Sequence, residues 1–202
     1  MKYVVTGSLG HISKPLSQKL ITAGHEVTII SSKESNRPAI EKLGAKAAIG
    51  SVEDVAFLTR AFAGADAVYT MVPPNFAATA WKEWIGQIGK NYADAIKANQ
   101  IKYVVNLSSV GAHLPDGCGP VSGLYKAEQA LNTLNEVNIK HLRPSYFFEN
   151  LLANVGLVKQ MDIIGSNFGG ADQKIVLADT SDITEADFEE LSTLQFSGHS
   201  VR

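Results

Sequence analysis

Gly7 and Gly10 stand three residues apart in "YVVTGSLGHISKPL", between an apolar run and a helix-like stretch. Gly7 would end a strand with a turn that L-residues resist. Gly10 would let the backbone approach a pyrophosphate closely, and the small Ser13 would let the following helix pack on a sheet. The leading end of that helix offers unpaired N–H groups and a positive dipole end to phosphate. The spacing predicts a seat for the diphosphate of a dinucleotide, with His11 on the exposed start of the helix. The end of the next strand chooses between dinucleotides, because a ribose 2′-hydroxyl wants a carboxylate there and a 2′-phosphate wants cations and hydroxyls. "IISSKESNRP" supplies Ser31, Ser32 and Lys33, then Arg37, with Glu34 beyond the strand end. NADP is the expected cofactor, with NAD as the alternative.

These residues need a scaffold, and the chain alternates short β-branched runs with longer helical patterns. Strands are predicted at Lys2–Thr6, Glu26–Ile30, Ala45–Ile49, Ala65–Met71, Lys102–Leu107 and Ile139–Leu142. Helical stretches fall between them, near Ser13–Ala23, Ala39–Leu43, Val55–Ala63, Asn75–Asn99 and Ser122–Leu134. Parallel crossovers need long connections, so this order predicts a doubly wound, Rossmann-like α/β fold with a parallel sheet. "TAGHE", "KLGAK" and "FAGAD" each supply a glycine stop after a helix.

After Pro144 the rhythm changes. "SYFFENLLANVGLVKQMDIIG" reads as helical and then apolar, "FGGAD" as a flexible turn and "KIVLAD" as a strand. "SDITEADFEELSTL" reads as a capped helix starting at Ser181 or Thr184, with "DFEEL" a solvated face. "GHSVR" begins another strand, which must pair or fray. The expected division is a dinucleotide-binding domain over residues 1–145 and a small, shortened C-terminal substrate lobe over 146–202. An exchange of terminal strands in a homodimer would complete such a lobe.

A formal net charge of −2 gives no basic field for nucleic acid or an anionic membrane. No apolar run approaches the roughly eighteen residues of a membrane span, and "MKYVVTG" lacks a signal-peptide pattern. The single cysteine, Cys118, suits a reducing cytoplasm and is read as an incidental loop residue. The five histidines show no metal-ligand spacing, and no GxSxG elbow for a hydrolase occurs. Trp81 and Trp84, three apart on one helical face, are read as core or interface anchors.

Taken together, "VVTGSLGHISKPL", "GHEVTIISS", "FAGADAVYTMVPPN", "YVVNLSSVGAH", "LYKAEQAL" and "LRPSYFFENLL" resemble the NmrA-like family of atypical short-chain dehydrogenases/reductases. The likeness runs in order over roughly residues 1–160. It implies an NAD(P)-binding Rossmann domain with a small C-terminal substrate lobe, in a family whose members are usually longer. Carried over, Gly7, Ser8, Gly10, His11 and Ile12 match the phosphate loop, and Ser32, Lys33 and Arg37 the 2′ region. Gly50 and Ser51 stand where the family commonly has Gly-Asp beside the adenine, and by the same likeness Met71, Val72 and Pro73 would line the nicotinamide ribose. Ser108 and Ser109 close the fifth strand, where related dehydrogenases keep a catalytic serine. Lys126 resembles the lysine that grips the nicotinamide ribose. Phe147, Glu149 and Asn150 match the loop at the mouth of the substrate cleft.

One part is missing. Typical members of the wider superfamily place a tyrosine four residues before the lysine, on the same helical face, where the ammonium lowers the phenol pKa. Four residues before Lys126 stands Ser122, and Tyr125 is rotated about 100° away. The resemblance therefore implies either NADPH-dependent reduction of a quinone or small electrophilic carbonyl, with Lys126 and Ser108 as catalytic candidates, or a catalytically silent NAD(P)-sensing regulator. The expected partners are a small-molecule substrate and either a second copy or a regulatory protein.

Overall fold

The computed structural model describes residues 1–165, Asp172 and residues 174–202. Seven short strands form one all-parallel sheet: β1 (Lys2–Val5), β2 (Glu26–Ser31), β3 (Lys46–Ile49), β4 (Ala67–Met71), β5 (Tyr103–Leu107), β6 (Asn138–Leu142) and, from the chain's end, β9 (His199–Val201). Their order is β3-β2-β1-β4-β5-β6-β9, with Val5 beside both Ile29 and Tyr69. Inner strands such as β1 and β4 read as nearly continuous apolar runs because both faces are covered. The order reverses between β1 and β4, and such a switch point opens a crevice at the strands' carboxyl ends.

Helices α1 (Ser13–Thr22), α2 (Arg37–Lys42) and α7 (Thr180–Thr193) contribute to the core on one face of the sheet, built from residues such as Leu16, Leu20, Ile40 and Leu191. Helices α3 (Val55–Ala61), α4 (Trp81–Ala98) and α5 (Val121–Leu131) contribute to the other, with Leu58, Ile88, Tyr92 and Leu131. The expected glycine stops hold: Gly24, Gly44 and Gly64, just past α1, α2 and α3, all have positive φ. α4 and α5 lie unusually close, since a Cβ on Gly89 would stand 2.4 Å from the Ala127 Cα. No helix among the described residues is long and apolar enough to cross a membrane.

The division expected at residue 145 is not where the core divides. β9 extends the main sheet beside β6, with Ile139 opposite His199 and His141 opposite Val201. α7 docks on α1, where Lys19 pairs with Glu185 at 2.7 Å, and the Tyr3 hydroxyl donates to the Leu191 carbonyl at 2.8 Å. "GHSVR" thus finds its partner within its own chain, and strand exchange is not needed to pair it. The helix starts one residue before Ser181, because Asp179 caps it by accepting from the Ser181 amide at 2.8 Å. "DFEEL" is no solvated face either: Asp187 and Leu191 are buried.

Outside the main sheet lie β7 (Tyr146–Phe147), a 3₁₀ segment (Phe148–Asn154), α6 (Val155–Met161) and β8 (Leu177–Ala178). β7 and β8 form a small parallel pair, Tyr146 opposite Leu177. The strand expected over "KIVLAD" is reduced to those two residues, and the "FGGAD" turn lies outside the described residues apart from Asp172.

Candidate active site

The turn after β1 is built as its glycines require. Gly7 has φ +90°, and a Cβ there would stand 2.3 Å from the Ser13 hydroxyl. At Gly10 the constraint is proximity, since a Cβ would come 3.1 Å from the Gly7 carbonyl that its own amide bonds. Ser8 also takes a positive φ, its amide donating to the Ile30 carbonyl at 3.1 Å. α1 opens at Ile12 with no side chain capping it; the Lys14 amide donates to the Gly10 carbonyl at 3.1 Å and Pro15 has no N–H, which leaves the Ile12 and Ser13 amides at this end for a ligand.

Beside this turn a hydroxyl cluster joins β1 to β2. The Ser8 hydroxyl donates to Ser31 Oγ at 2.9 Å, and Asn36 Nδ2 donates to both oxygens at 3.0 Å. Asn36 was not a sequence candidate, and the cations beside it behave differently from expectation. Arg37 forks onto Glu34 at 2.5 and 3.1 Å, and that hydrogen bond holds the Glu34 carboxyl below its usual range. Neither Lys33 nor Arg37 lines the crevice; Ser31, Ser32, Gly50, Ser51, Val52 and Glu53 do.

The crevice encloses about 580 Å³ across the carboxyl ends of the inner strands. It brings together Gly7, Ser8, Gly10, His11 and Ile12 with Met71, Pro73, Phe147, Glu149 and Asn150. A second cavity of about 400 Å³ adjoins it, and Met71, Pro73, Asn75, Trp84, Phe147 and Asn150 belong to both walls. Val72, Ser108 and Ser109 line only the second, together with Trp81, Leu124 and Tyr146. No charged side chain is among its described lining. Both tryptophans line the second cavity, and Trp84 also packs against the buried cluster, as the core reading expected. Three-residue spacing shows that they share a face but not what that face meets.

Both catalytic candidates are engaged elsewhere. Lys126 pairs with Glu83 at 3.1 Å on the outside of α4, its stem over Gly86, and lines neither cavity. On α5 it is Val121 and Leu124 that face the second cavity. The hydroxyl of Ser108 donates to Glu128 Oε1 at 2.5 Å, and Arg143 grips the same carboxylate at 3.0 and 2.5 Å. Ser122 is buried, with Oγ accepting from the Cys118 amide at 3.2 Å. A polar rung runs behind these groups. Thr70 donates to Asn106, Asn106 Nδ2 to His141 Nδ1, and His141 Nε2 to Asn132 Oδ1. Burial pushes the His141 pKa down to about 4, so the ring is neutral and each of its nitrogens has one role.

The opposite wall is less complete. Trp84 Nε1 and Glu149 Oε2 belong to crevice-lining residues and are buried without a hydrogen-bond partner, and Tyr69 Oη, on the same lining, has the Asp187 carboxylate as its neighbour. The other oxygen of Glu149 accepts from the Thr180 hydroxyl. Asp187 lies behind Tyr69 with neither oxygen in a well-formed bond, and burial raises its carboxyl well above the usual range. Burial, then the Asp187 charge, raises the Tyr69 phenol likewise. An unsatisfied buried polar group costs about 1–3 kcal/mol, so two around one cavity mark the place where a ligand would supply partners. A glycine cradle that a Cβ would fill, uncapped amides and unpaired polar groups on one wall all fit a dinucleotide.

Comparison with known proteins agrees. Residues 7–143 match the family model described as NAD(P)H-binding. No curated protein matches the sequence. Among solved structures, the chain superposes on an NADPH-dependent quinone oxidoreductase from Escherichia coli, complexed with NADPH, with a TM-score of 0.82 at 19% identity, covering 98% of this chain and 67% of that one. A triphenylmethane reductase from Citrobacter sp., complexed with NADP(H), gives 0.82 at 16% identity, covering 99% and 68%. A nucleoside-diphosphate-sugar epimerase from Staphylococcus aureus gives 0.78 at 14%, covering 100% and 70%. At such identities the likeness is one of fold, and the chain spans about two thirds of the length of these structures. With the family model matching well over half its residues, the chain belongs to the NAD(P)H-binding family.

Proposed function

We propose that this chain binds NADP(H) and reduces an uncharged planar electrophile, a quinone or a small carbonyl compound, as an NmrA-like reductase. The observation that carries this reading is the junction of a long crevice at the phosphate-binding turn with an apolar cavity that has no charged side chain among its described lining. The hydroxyls of Ser31 and Ser32, with no carboxylate at the end of β2, support a 2′-phosphate over a bare ribose. When bound, the reduced dinucleotide would supply hydride. The chain's own part is to seat the diphosphate on the Gly7–Ser13 turn and to hold a flat acceptor between Trp81, Trp84 and Phe147 in the apolar cavity. With Ser108 committed to Glu128 and Lys126 to Glu83, no phenol–ammonium pair among the described residues is placed to deliver a proton. That favours acceptors whose reduced oxyanion is a weak base and takes its proton from water.

The same commitments favour a second reading, a dinucleotide-sensing regulator. Steady NADPH oxidation across a quinone panel, abolished by Gly10→Arg, is the expected result. Tight dinucleotide binding without turnover of any quinone would overturn the reductase reading, and partner binding that differs between NADP⁺ and NADPH would then support the regulator.

A further inference from the structure

We infer that Glu149 is the acceptor that orients the carboxamide of the nicotinamide ring, an inference that rests on the dinucleotide reading above. Glu149 sits in the segment after β7, on the crevice wall, two residues beyond Phe147, which belongs to both cavities. Its carboxylate is half used. Oε1 accepts from the hydroxyl of Thr180, the first residue of α7, and Oε2 is buried with no partner. A carboxylate can only accept, so the partner it lacks is an N–H or O–H donor. Trp84 Nε1, buried and unpaired on the same crevice, can only donate. A primary carboxamide carries both complements, an NH₂ to give and a carbonyl to receive.

Position selects the nicotinamide from among the donors a dinucleotide carries. Trp84, Phe147 and Asn150 line both spaces, so this end of the crevice is where a ring must lie to face an acceptor in the apolar cavity. The adenine and 2′ groups are left to the opposite end, at Ser31, Ser32 and Gly50. The Thr180 bond fixes the carboxylate from α7, which is itself docked on α1. Glu149 is therefore a positioning residue for the reactive ring.

The test is calorimetric and needs no turnover. NADPH is compared with its 3-acetylpyridine analogue, which keeps the ring carbonyl but has no N–H. Wild-type protein is expected to bind the analogue about tenfold more weakly, the worth of a hydrogen bond to a charged acceptor. Glu149→Ala should weaken NADPH binding and abolish the discrimination, and Thr180→Val, which only unpins the carboxylate, should reduce it about threefold. Should Glu149→Ala melt early, the near-isosteric Glu149→Met, which offers no oxygen, replaces it. NADPH binding by wild type without discrimination overturns this assignment alone, as does discrimination that survives removal of the carboxylate. No binding of either dinucleotide to wild type overturns the underlying reading as well.

Discussion

Glu128 and Asp187 are both buried carboxylates, 1% and 0% exposed, and they project from helices on opposite faces of the sheet. Glu128, on α5, has a complete set of partners: the Ser108 hydroxyl on one oxygen and a two-pronged Arg143 across both. Asp187, on α7, has no well-formed bond, and the Tyr69 phenol stands beside it. The contrast separates two kinds of wall around one site. Behind the apolar cavity the Glu128 carboxylate is satisfied by the chain itself, so that part of the wall is held rigid without a ligand. Around the crevice, polar groups remain unpaired, and a bound molecule has interactions left to make.

The largest effect should come from stranding the satisfied carboxylate. Arg143→Met leaves Glu128 buried without its counter-ion, which typically costs about 3–5 kcal/mol. Urea melts should show a loss of that size, and Arg143→Met combined with Glu128→Met should recover most of it, because a well-packed apolar pair can replace a buried ion pair. A single variant as stable as wild type would mean that Glu128 is not the self-sufficient partner of the comparison.

Asp187 should respond with the opposite sign. Its folded pKa is raised by burial, so the folded state holds a proton that the unfolded chain releases above about pH 4. Its presence therefore costs stability increasingly as pH rises from there. Asp187→Asn is expected to raise the melting temperature at pH 7 by about 2–4 °C, the shift worth about 1 kcal/mol in a chain of this size, with the gain fading near pH 4. His141 contributes the reverse slope. With a folded pKa of about 4 against an ordinary 6.5, it destabilises the fold as pH falls through that interval, and the variant should retain this acid limb. A variant no more stable at pH 7 than at pH 4, relative to wild type, would show that Asp187 has partners after all.

The two walls also differ in how far the sequence revealed them. The glycine turn was legible because its chemistry is local. Gly7, Gly10 and Ser13 act within one strand-turn-helix unit, and backbone geometry dictates their types. The first six strands were legible from apolar runs, to within two residues at each end. Glu128 was not, since its partners lie 20 residues before it and 15 after it, on β-strand ends that only the sheet brings together. Asp187 was misread because "DFEEL" has three acids in a row of five, and only the docking of α7 on α1 turns the first of them inward. Arg37 failed for a related reason: a guanidinium three residues from a carboxylate is satisfied locally before it can serve a ligand.

Lys126 offers the smallest effect and the sharpest check on the rigid wall, because it shares α5 with Glu128 but points away from it. Helical rotation decides this: Val121 and Leu124 face the apolar cavity, while Lys126 lies over Gly86 of α4 and reaches Glu83. An exposed pair of that kind contributes about 0–1 kcal/mol. Lys126→Ala keeps the Cβ that packs on α4, so the melting temperature should move by no more than about 2 °C and dinucleotide affinity by less than twofold. Were Lys126 the ammonium that grips the nicotinamide ribose, as its place after the fifth strand suggests, the same substitution would remove a charge-assisted hydrogen bond and weaken binding tenfold or more. A tenfold loss would mean that α5 rotates or slides when the crevice fills, and the wall backed by Glu128 could not then be the rigid one.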